Sequence, residues 1–247
     1  MFAVLIIGDE ILSGQVKDEN LPYIIETFTR AGYTVGEARI VGDNTRHIAE
    51  AVKALSGTYD FVVTSGGVGP THDDVTLAGV AHAFDVPLEL HAGMEHFLKS
   101  HYHSGFNEAV GQMAMLPKGA EITIGEDHRW PVIRMNNCYV LPGLPVALRD
   151  KVRRILKSLP PLATNWIARL YLRADESVFA GWLKELQARH PEVSVGSYPK
   201  IGEDEYQVQV TLKSSQQPAL FSAFAETRDY FKHTGWLVNA VPPEALR

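Results

Sequence analysis

Residues 60–76 read D-F-V-V-T-S-G-G-V-G-P-T-H-D-D-V-T and hold the side chains best suited to chemistry. An apolar run at 61–64 leads into Gly66, Gly67 and Gly69, and a helical pattern begins at Val75. A strand, a glycine loop and a helix start together offer bare backbone N–H groups to a phosphate. The hydroxyls of Thr71 and Thr76 can donate to the same anion, and His72 can do so when protonated. Asp73 and Asp74 close the loop. One is expected to cap the helix, leaving the other, Asp74 for preference, to hold a divalent cation or orient water. Carboxylates beside a phosphate repel it unless a cation lies between, and Mg²⁺ commonly uses one or two carboxylates plus substrate phosphates. Neither a Walker motif nor the G-x-G-x-x-G fingerprint is present, so the alternative is a plain glycine turn.

These residues need a scaffold that brings loops together. Residues 2–7, 33–41 and 61–64 read as strands. Helical patterns lie between them, one opened by Asn20 and one by Asn44 or Thr45, and a third follows the glycine loop. This alternation implies a mostly parallel sheet with helices on both faces, whose ligand edge lies at the carboxyl ends of the strands. Asp9 and Glu10, Asp43, and the glycine loop all fall at such ends. A helical stretch interrupted by Gly105 is expected at 94–115 and short strands at 122–124, 132–135 and 138–141, with turns at 125–127 and 136–137. Residues 146–156 form an amphipathic helix with Arg149, Lys151, Arg153, Arg154 and Lys157 assigned to its wet face. Residues 158–165, S-L-P-P-L-A-T-N, read as a linker, dividing a domain at 1–160 from one at 166–247. The second reads β-α-β-β-α-β, a small α+β ferredoxin-like unit.

The 247 residues carry a net charge of -6, which argues against a nucleic-acid backbone as partner. A single cysteine, Cys138, fits a reducing, cytoplasmic setting, and no apolar run approaches membrane-spanning length. Cys138 itself reads as a buried hydrophobe. The histidines at 91, 96, 101 and 103 lack metal-ligand spacing and read as a solvated helix. Phe179 and Trp182 read as core.

Together, G-D-E-I-L-S-G (8–14), Asn20, V-G-D-N (41–44), G-G-V-G-P-T-H-D-D-V-T (66–76) and L-P-G-L-P (141–145) resemble the MoaB/Mog (molybdopterin-binding) domain. The nearer likeness is to the branch at the N-terminus of CinA and of eukaryotic FAD synthases. D-E-S-V-F-A (175–180), V-G-S-Y-P (195–199) and Y-Q-V-Q-V-T-L (206–212) resemble the segment that follows it in FAD synthases. The resemblance implies a three-layer α/β fold whose loop holds a pterin phosphate or a nucleotide diphosphate. Asp43 and Asp74 match the acids that support Mg²⁺ and catalysis, with Asp73 as runner-up. Gly66, Gly67, Gly69 and Thr71 match the phosphate loop. Asp9, Glu10, Asn20, His72, Pro142 and Gly143 complete the expected substrate pocket.

That branch implies a divalent-metal-dependent pyrophosphatase acting on FAD or ADP-ribose, with Mg²⁺ or another transition metal, in a homo-oligomer (dimer or trimer). The stretch has neither the CinA deamidase domain nor the FAD synthase adenylylating domain, so neither NMN deamidation nor FAD synthesis is expected. The alternatives are a non-catalytic molybdopterin-binding module and adenylyl transfer in molybdenum cofactor biosynthesis.

Overall fold

Strand β1 (Phe2–Ile7) is six apolar residues with no polar alternation, and every one is at most 2% exposed. Such a strand must be covered on both faces, and the computed structural model, which describes residues 1–125, 130–162, 164–200, 202 and 205–246, shows how. After β1 come α1 (Asp9–Leu12), α2 (Asn20–Arg30), β2 (Val35–Val41), α3 (Thr45–Thr58), β3 (Phe61–Ser65) and α4 (Thr76–Ala83). Then follow β4 (Leu88–Leu90), α5 (Ala92–Tyr102), a 3-10 turn (His103–Gly105), α6 (Glu108–Gln112) and β5 (Met115–Pro117). The first unit finishes with β6 (Glu121–Thr123), β7 (Val132–Met135), β8 (Cys138–Leu141) and α7 (Pro145–Ser158).

The main sheet has the order β2-β1-β3-β8-β7-β6. β2, β1, β3 and β8 are parallel, while β7 and β6 add as antiparallel strands. Side chains alternate across the pleat. Ala3, Leu5 and Ile7 therefore pack with Ile48, Val52 and Leu55 of α3 and Val80 of α4. Phe2, Val4 and Ile6 pack with Ile24 and Phe28 of α2 and with Leu148, Val152 and Ile155 of α7. These are the two cores of a three-layer α/β sandwich.

Several local expectations give way to tertiary contacts. Strand β2 begins at Val35, because the Tyr33 hydroxyl reaches the Pro160 carbonyl and its ring packs edge-on against Phe28 and Phe61. The helical reading of 94–115 breaks at His103, whose φ of 46° ends α5, and Met115 joins β5. Strand β5 pairs antiparallel with β4, which went unread because three residues carry little periodicity. The expected turn at 125–127 lies partly outside the described residues. The turn at 136–137 is present, with Asn136 at φ 50°.

From Pro161 a second compact unit begins. It comprises β9 (Trp166–Leu172), a 3-10 turn (Glu176–Val178), α8 (Ala180–Arg189), β10 (Ser194–Pro199), β11 (Val208–Ser214), α9 (Gln217–His233) and β12 (Leu237–Ala245). The sheet is antiparallel in the order β10-β11-β9-β12, the split β-α-β unit of the ferredoxin-like fold. Phe179, Leu183 and Leu186 from the α8 segment and Leu220, Phe224 and Phe231 from α9 pack on Leu170, Val210 and Leu212 of the sheet. Asp175 caps the 3-10 turn instead of α8, accepting from Ser177 N at 2.9 Å. Pro242 and Pro243 sit inside β12, where the register slips, as an edge strand tolerates. No described helix is long and apolar enough to cross a membrane.

In the main sheet Gly66 is sterically fixed. Its φ is 113°, and a Cβ there would lie 2.0 Å from the Ile7 carbonyl oxygen. Gly14 also has positive φ, 73°, but open space around it. Gly66→Ala should therefore cost at least about 3 kcal/mol and Gly14→Ala only about 1 kcal/mol. Urea unfolding of the two variants measures the difference, and equal losses would contradict the steric account.

Candidate functional site

The parallel strands end in register. Ile7 pairs with Val41, Ile6 with Ser65, and Ser65 with Leu141. The loops leaving at Gly8, Gly42, Gly66 and Pro142 thus start from one edge. β1 lies between β2 and β3, so consecutive connections diverge there, and such a switch point opens a crevice.

The glycine loop is held from below. Gly66 N donates to Leu141 O at 3.1 Å, and Thr76 N to Gly67 O at 3.0 Å. The fully buried Thr76 hydroxyl donates to Gly66 O at 2.8 Å. Thr76 is therefore a brace beneath the loop and not the phosphate ligand the sequence suggested. Asn20 is likewise reassigned. Asp18 caps α2, accepting from Asn20 N at 3.2 Å and from Leu21 N at 2.9 Å. The buried Asn20 side chain instead donates to Ser65 Oγ at 2.9 Å and to the Gly143 carbonyl at 2.7 Å, tying α2 to the ends of β3 and β8.

Neither Asp73 nor Asp74 caps α4, whose N-cap position is Val75 with no side-chain cap. Asp74 Oδ2 accepts from both the backbone N–H, at 2.9 Å, and the hydroxyl of Thr71. Its carboxylate lies against Gly69, where a Cβ would meet Oδ2 at 2.6 Å. Asp73 is exposed, and a hydrogen bond from the Thr71 side chain, with one from its own backbone, holds its carboxyl below the usual range. His72 is fully exposed beside it, with Nδ1 3.9 Å from Asp73 Oδ1.

Asp43 comes from the neighbouring loop. It exchanges hydrogen bonds with Asp9: Asp9 N donates to Asp43 Oδ2 at 2.8 Å, and Asp43 N to Asp9 Oδ1 at 3.2 Å. Asp43 Oδ1 lies 3.4 Å from where a Gly67 Cβ would stand, so this acid sits directly on the glycine loop. Partial burial, helped by the negative charges of Asp9, Glu10 and Asp73, raises its pKa. The structure thus couples Asp43 electrostatically to Asp9, Glu10 and Asp73. Among the described residues no group of three or more acids, histidines or cysteines forms a ready metal cage. His91 caps α5 through Met94 N, and His101 stacks on Phe97.

A cleft of about 510 Å³ opens against the loop, lined by Gly66, Gly67, Gly69, Glu10 and Asp74 together with Pro142 and Gly143. Its other wall is apolar, with Met94, Tyr102, Met113, Trp130 and Ile133. A smaller cleft of about 270 Å³ shares Glu10 and Gly143 and adds Asn20 and Ser65. On its outer side the loop faces a groove of about 700 Å³ that includes Thr71, His72 and Asn107.

The sequence reading missed two features of the main cleft. Trp130 and Tyr102 pack edge-on within its apolar wall, their ring centres 6.1 Å apart, and no sequence period marks that contact. Lys151, assigned to the wet face of α7, is only 5% exposed and lines the cleft. Its ammonium donates to the carbonyls of Trp130 and Pro131. Leu148, Lys151, Val152 and Ile155 are spaced as one helix face, and that spacing was the available signal. Burial, and to a lesser degree Arg154, push the Lys151 pKa down to about 7.

Two family models match this chain, one over each unit. Residues 3–163 match the family described as "Probable molybdopterin binding domain", and residues 166–239 match "FAD synthase, middle domain". A "Probable FAD synthase" from Caenorhabditis elegans is 28% identical over 269 residues, covering 95% of this chain and 52% of that protein. A protein from Archaeoglobus fulgidus is 32% identical over 201 residues, covering 81% of this chain and 86% of its own length. The chain spans about half the length of the FAD synthase relatives it matches. The crystal structure of CinA from Thermoplasma acidophilum superposes with a TM-score of 0.58 at 26% identity, covering 63% of this chain and 95% of that one.

The buried lysine makes a stability prediction. Its pKa falls from 10.5 in the unfolded chain to about 7 in the folded one, so below pH 7 the folded state carries the whole penalty of the buried charge. As pH rises from 7 toward 10 the unfolded state holds more protons and the penalty is relieved. Lys151→Met should raise stability at pH 7 by about 2 kcal/mol or more and flatten its rise between roughly pH 7 and 10. Urea unfolding across that range is the measurement. A variant that keeps the wild-type slope would show that the lysine is not buried as a cation.

Proposed function

Because the chain belongs to the molybdopterin-binding domain family, here joined to an FAD synthase middle domain, we propose that it is a divalent-metal-dependent pyrophosphatase acting on a nucleotide diphosphate, FAD or ADP-ribose. The observation that carries this reading is the contact of two carboxylates from different loops with the bare glycines, Asp43 against Gly67 and Asp74 against Gly69. A loop that only reversed the chain would need neither acid.

Each acid has two functions in this reading. Oδ2 of Asp43 is engaged by Asp9 N, and Oδ2 of Asp74 by Thr71, which fixes both loops. Oδ1 of each is left to face the loop. This donor set fits a hard cation that takes one or two carboxylates and completes its shell with substrate phosphates. Burial, and after it the repulsion from Asp9, Glu10 and Asp73, raises the Asp43 pKa, and a cation would offset both. Asp74 and Asp43 would hold the ion. When bound, it would neutralise phosphoryl oxygens and favour ionisation of a nearby water.

The chain's own residues do the remaining work. Backbone N–H groups of the loop from Gly67 to Gly69 grip the diphosphate, and Thr71 braces Asp74. Asp73, the exposed acid of the same loop, is the group left to orient the attacking water toward phosphorus. A new P–O bond to the water oxygen forms, the bond from that phosphorus to the bridging oxygen breaks, the water's proton passes to a neighbouring carboxylate or to solvent, and the two phosphates depart as AMP and its partner. Tyr102, Met113 and Trp130 give the cleft an apolar wall suited to a base or flavin ring. The family description favours a second reading, molybdopterin binding without turnover.

AMP release from FAD, ADP-ribose and ATP, measured across several divalent metals, separates the two readings. The wild type should release AMP from FAD or ADP-ribose only with metal. Asp43→Asn and Asp74→Asn should each lose roughly 100-fold or more in rate while remaining folded. Full activity in Asp74→Asn would remove that acid from the site. No AMP release from any substrate would leave the binding reading.

A further inference from the structure

Lys151 is a charged group that neither the sequence reading nor the proposed hydrolysis uses. Burying an ammonium is costly unless something repays it. Its hydrogen-bond partners among the described residues are two neutral carbonyls, Trp130 O and Pro131 O. Asp150, the adjacent acid on α7, instead approaches Arg154 at 3.5 Å. Arg154 also donates to Trp130 O at 2.9 Å and so competes for one of the lysine's two acceptors. An ammonium has three N–H donors, and the third is without an acceptor in this set. Among the described residues the fold holds a desolvated cation on carbonyl groups, with the through-space pull of Asp150 as opposing charge.

The composition of the cleft says what counter-ion fits. The residues lining it include two acids, Glu10 and Asp74, and one basic residue, Lys151. The glycine loop that forms another part of the lining has no lysine or arginine of its own. Among the described residues of the lining, a phosphate entering there meets two acids and a single cation. We propose that Lys151 is a binding residue for the ligand's diphosphate, so that an oxyanion enters this cleft before, and without, a divalent cation. The proposal rests on reading the cleft as a diphosphate site, but it does not require turnover. It adds an order of events: the anion docks on Lys151 and the loop, and its phosphates then complete the shell of an ion at Asp43 and Asp74.

Calorimetry with inorganic pyrophosphate in EDTA tests it directly. Wild-type protein should bind. Lys151→Met, expected to be folded and stabilised, should bind at least about tenfold more weakly, and Lys151→Arg should recover most of the affinity. A second readout separates binding from a structural role. With the ammonium largely neutral above pH 7, a bound anion recharges it. Titrations at pH 8 in buffers of different ionisation enthalpy should therefore show more proton uptake in the wild type than in Lys151→Met. The titratable and charged groups on the elements around the lysine are Asp150 and Arg154 of α7 and, in the cleft lining, Glu10, Asp74 and Tyr102.

Equal affinity in wild type and Lys151→Met, no wild-type binding, or equal proton uptake would each overturn the proposal. Lys151-dependent pyrophosphate binding in a protein that releases no AMP would sustain it while removing the hydrolase reading. AMP release with unchanged kinetics and unchanged pyrophosphate affinity in Lys151→Met would do the opposite.

Discussion

The close approach of Gly66 to the carbonyl of Ile7 is the constraint on which the candidate site depends. No side-chain carbon fits between them. The loop after β3 is therefore pressed across the end of β1, in the crevice where the sheet order reverses. Thr76 and Leu141 hold it there by hydrogen bonds to and from Gly66. Asn20 extends the same clamp to α2 and to the end of β8. With the loop so fixed, the next glycines become surfaces on which acids can rest. Asp43 reaches Gly67 from one side, and Asp74 folds back on Gly69 from the other. Side-chain contacts of this kind are cheap only because glycine offers no Cβ to collide with.

Charge is distributed unevenly around this clamp. Asp9, Glu10, Asp43 and Asp73 crowd the loop ends, and their mutual repulsion together with partial burial raises the Asp43 pKa. The cleft beside them contains a desolvated lysine instead of a matching salt bridge. Both arrangements cost stability in the empty protein. A charged ligand bound as proposed would relieve both.

The second unit is built on different logic. Its antiparallel sheet is covered by α8 and α9, with Trp182 stacked on Tyr230 at 4.0 Å and Phe179 fully buried. Arg189 and His190 at the end of α8 pair with Glu226 of α9, lowering the Glu226 pKa against the opposing effect of its burial. These contacts join the two helices to each other, and among the described residues of this unit there is no glycine loop comparable to the one at residues 66–69.

The sequence by itself determined what local period and residue type can carry. The unbroken apolar run of β1, the alternation of strand and helix, and the β-α-β-β-α-β order of the second unit follow from side-chain periodicity and turn chemistry. So does the meeting of the Asp9, Asp43 and Gly66 loops at one edge, because parallel strands must end together. The tertiary structure alone decided which polar groups face inward. Asn20 and Thr76 looked like a cap and a phosphate ligand, yet each is buried and braces the loop through partners at the far ends of other strands. Lys151 occupies an apolar helix position, but its charge assigned it to water until the carbonyls of Trp130 and Pro131 gave it a buried seat. The pairing of β4 with β5 was also invisible, because a three-residue strand gains its stability from its partner and not from its own sequence. Burial of a polar group depends on acceptors supplied by distant chain, and that information is absent from any local window.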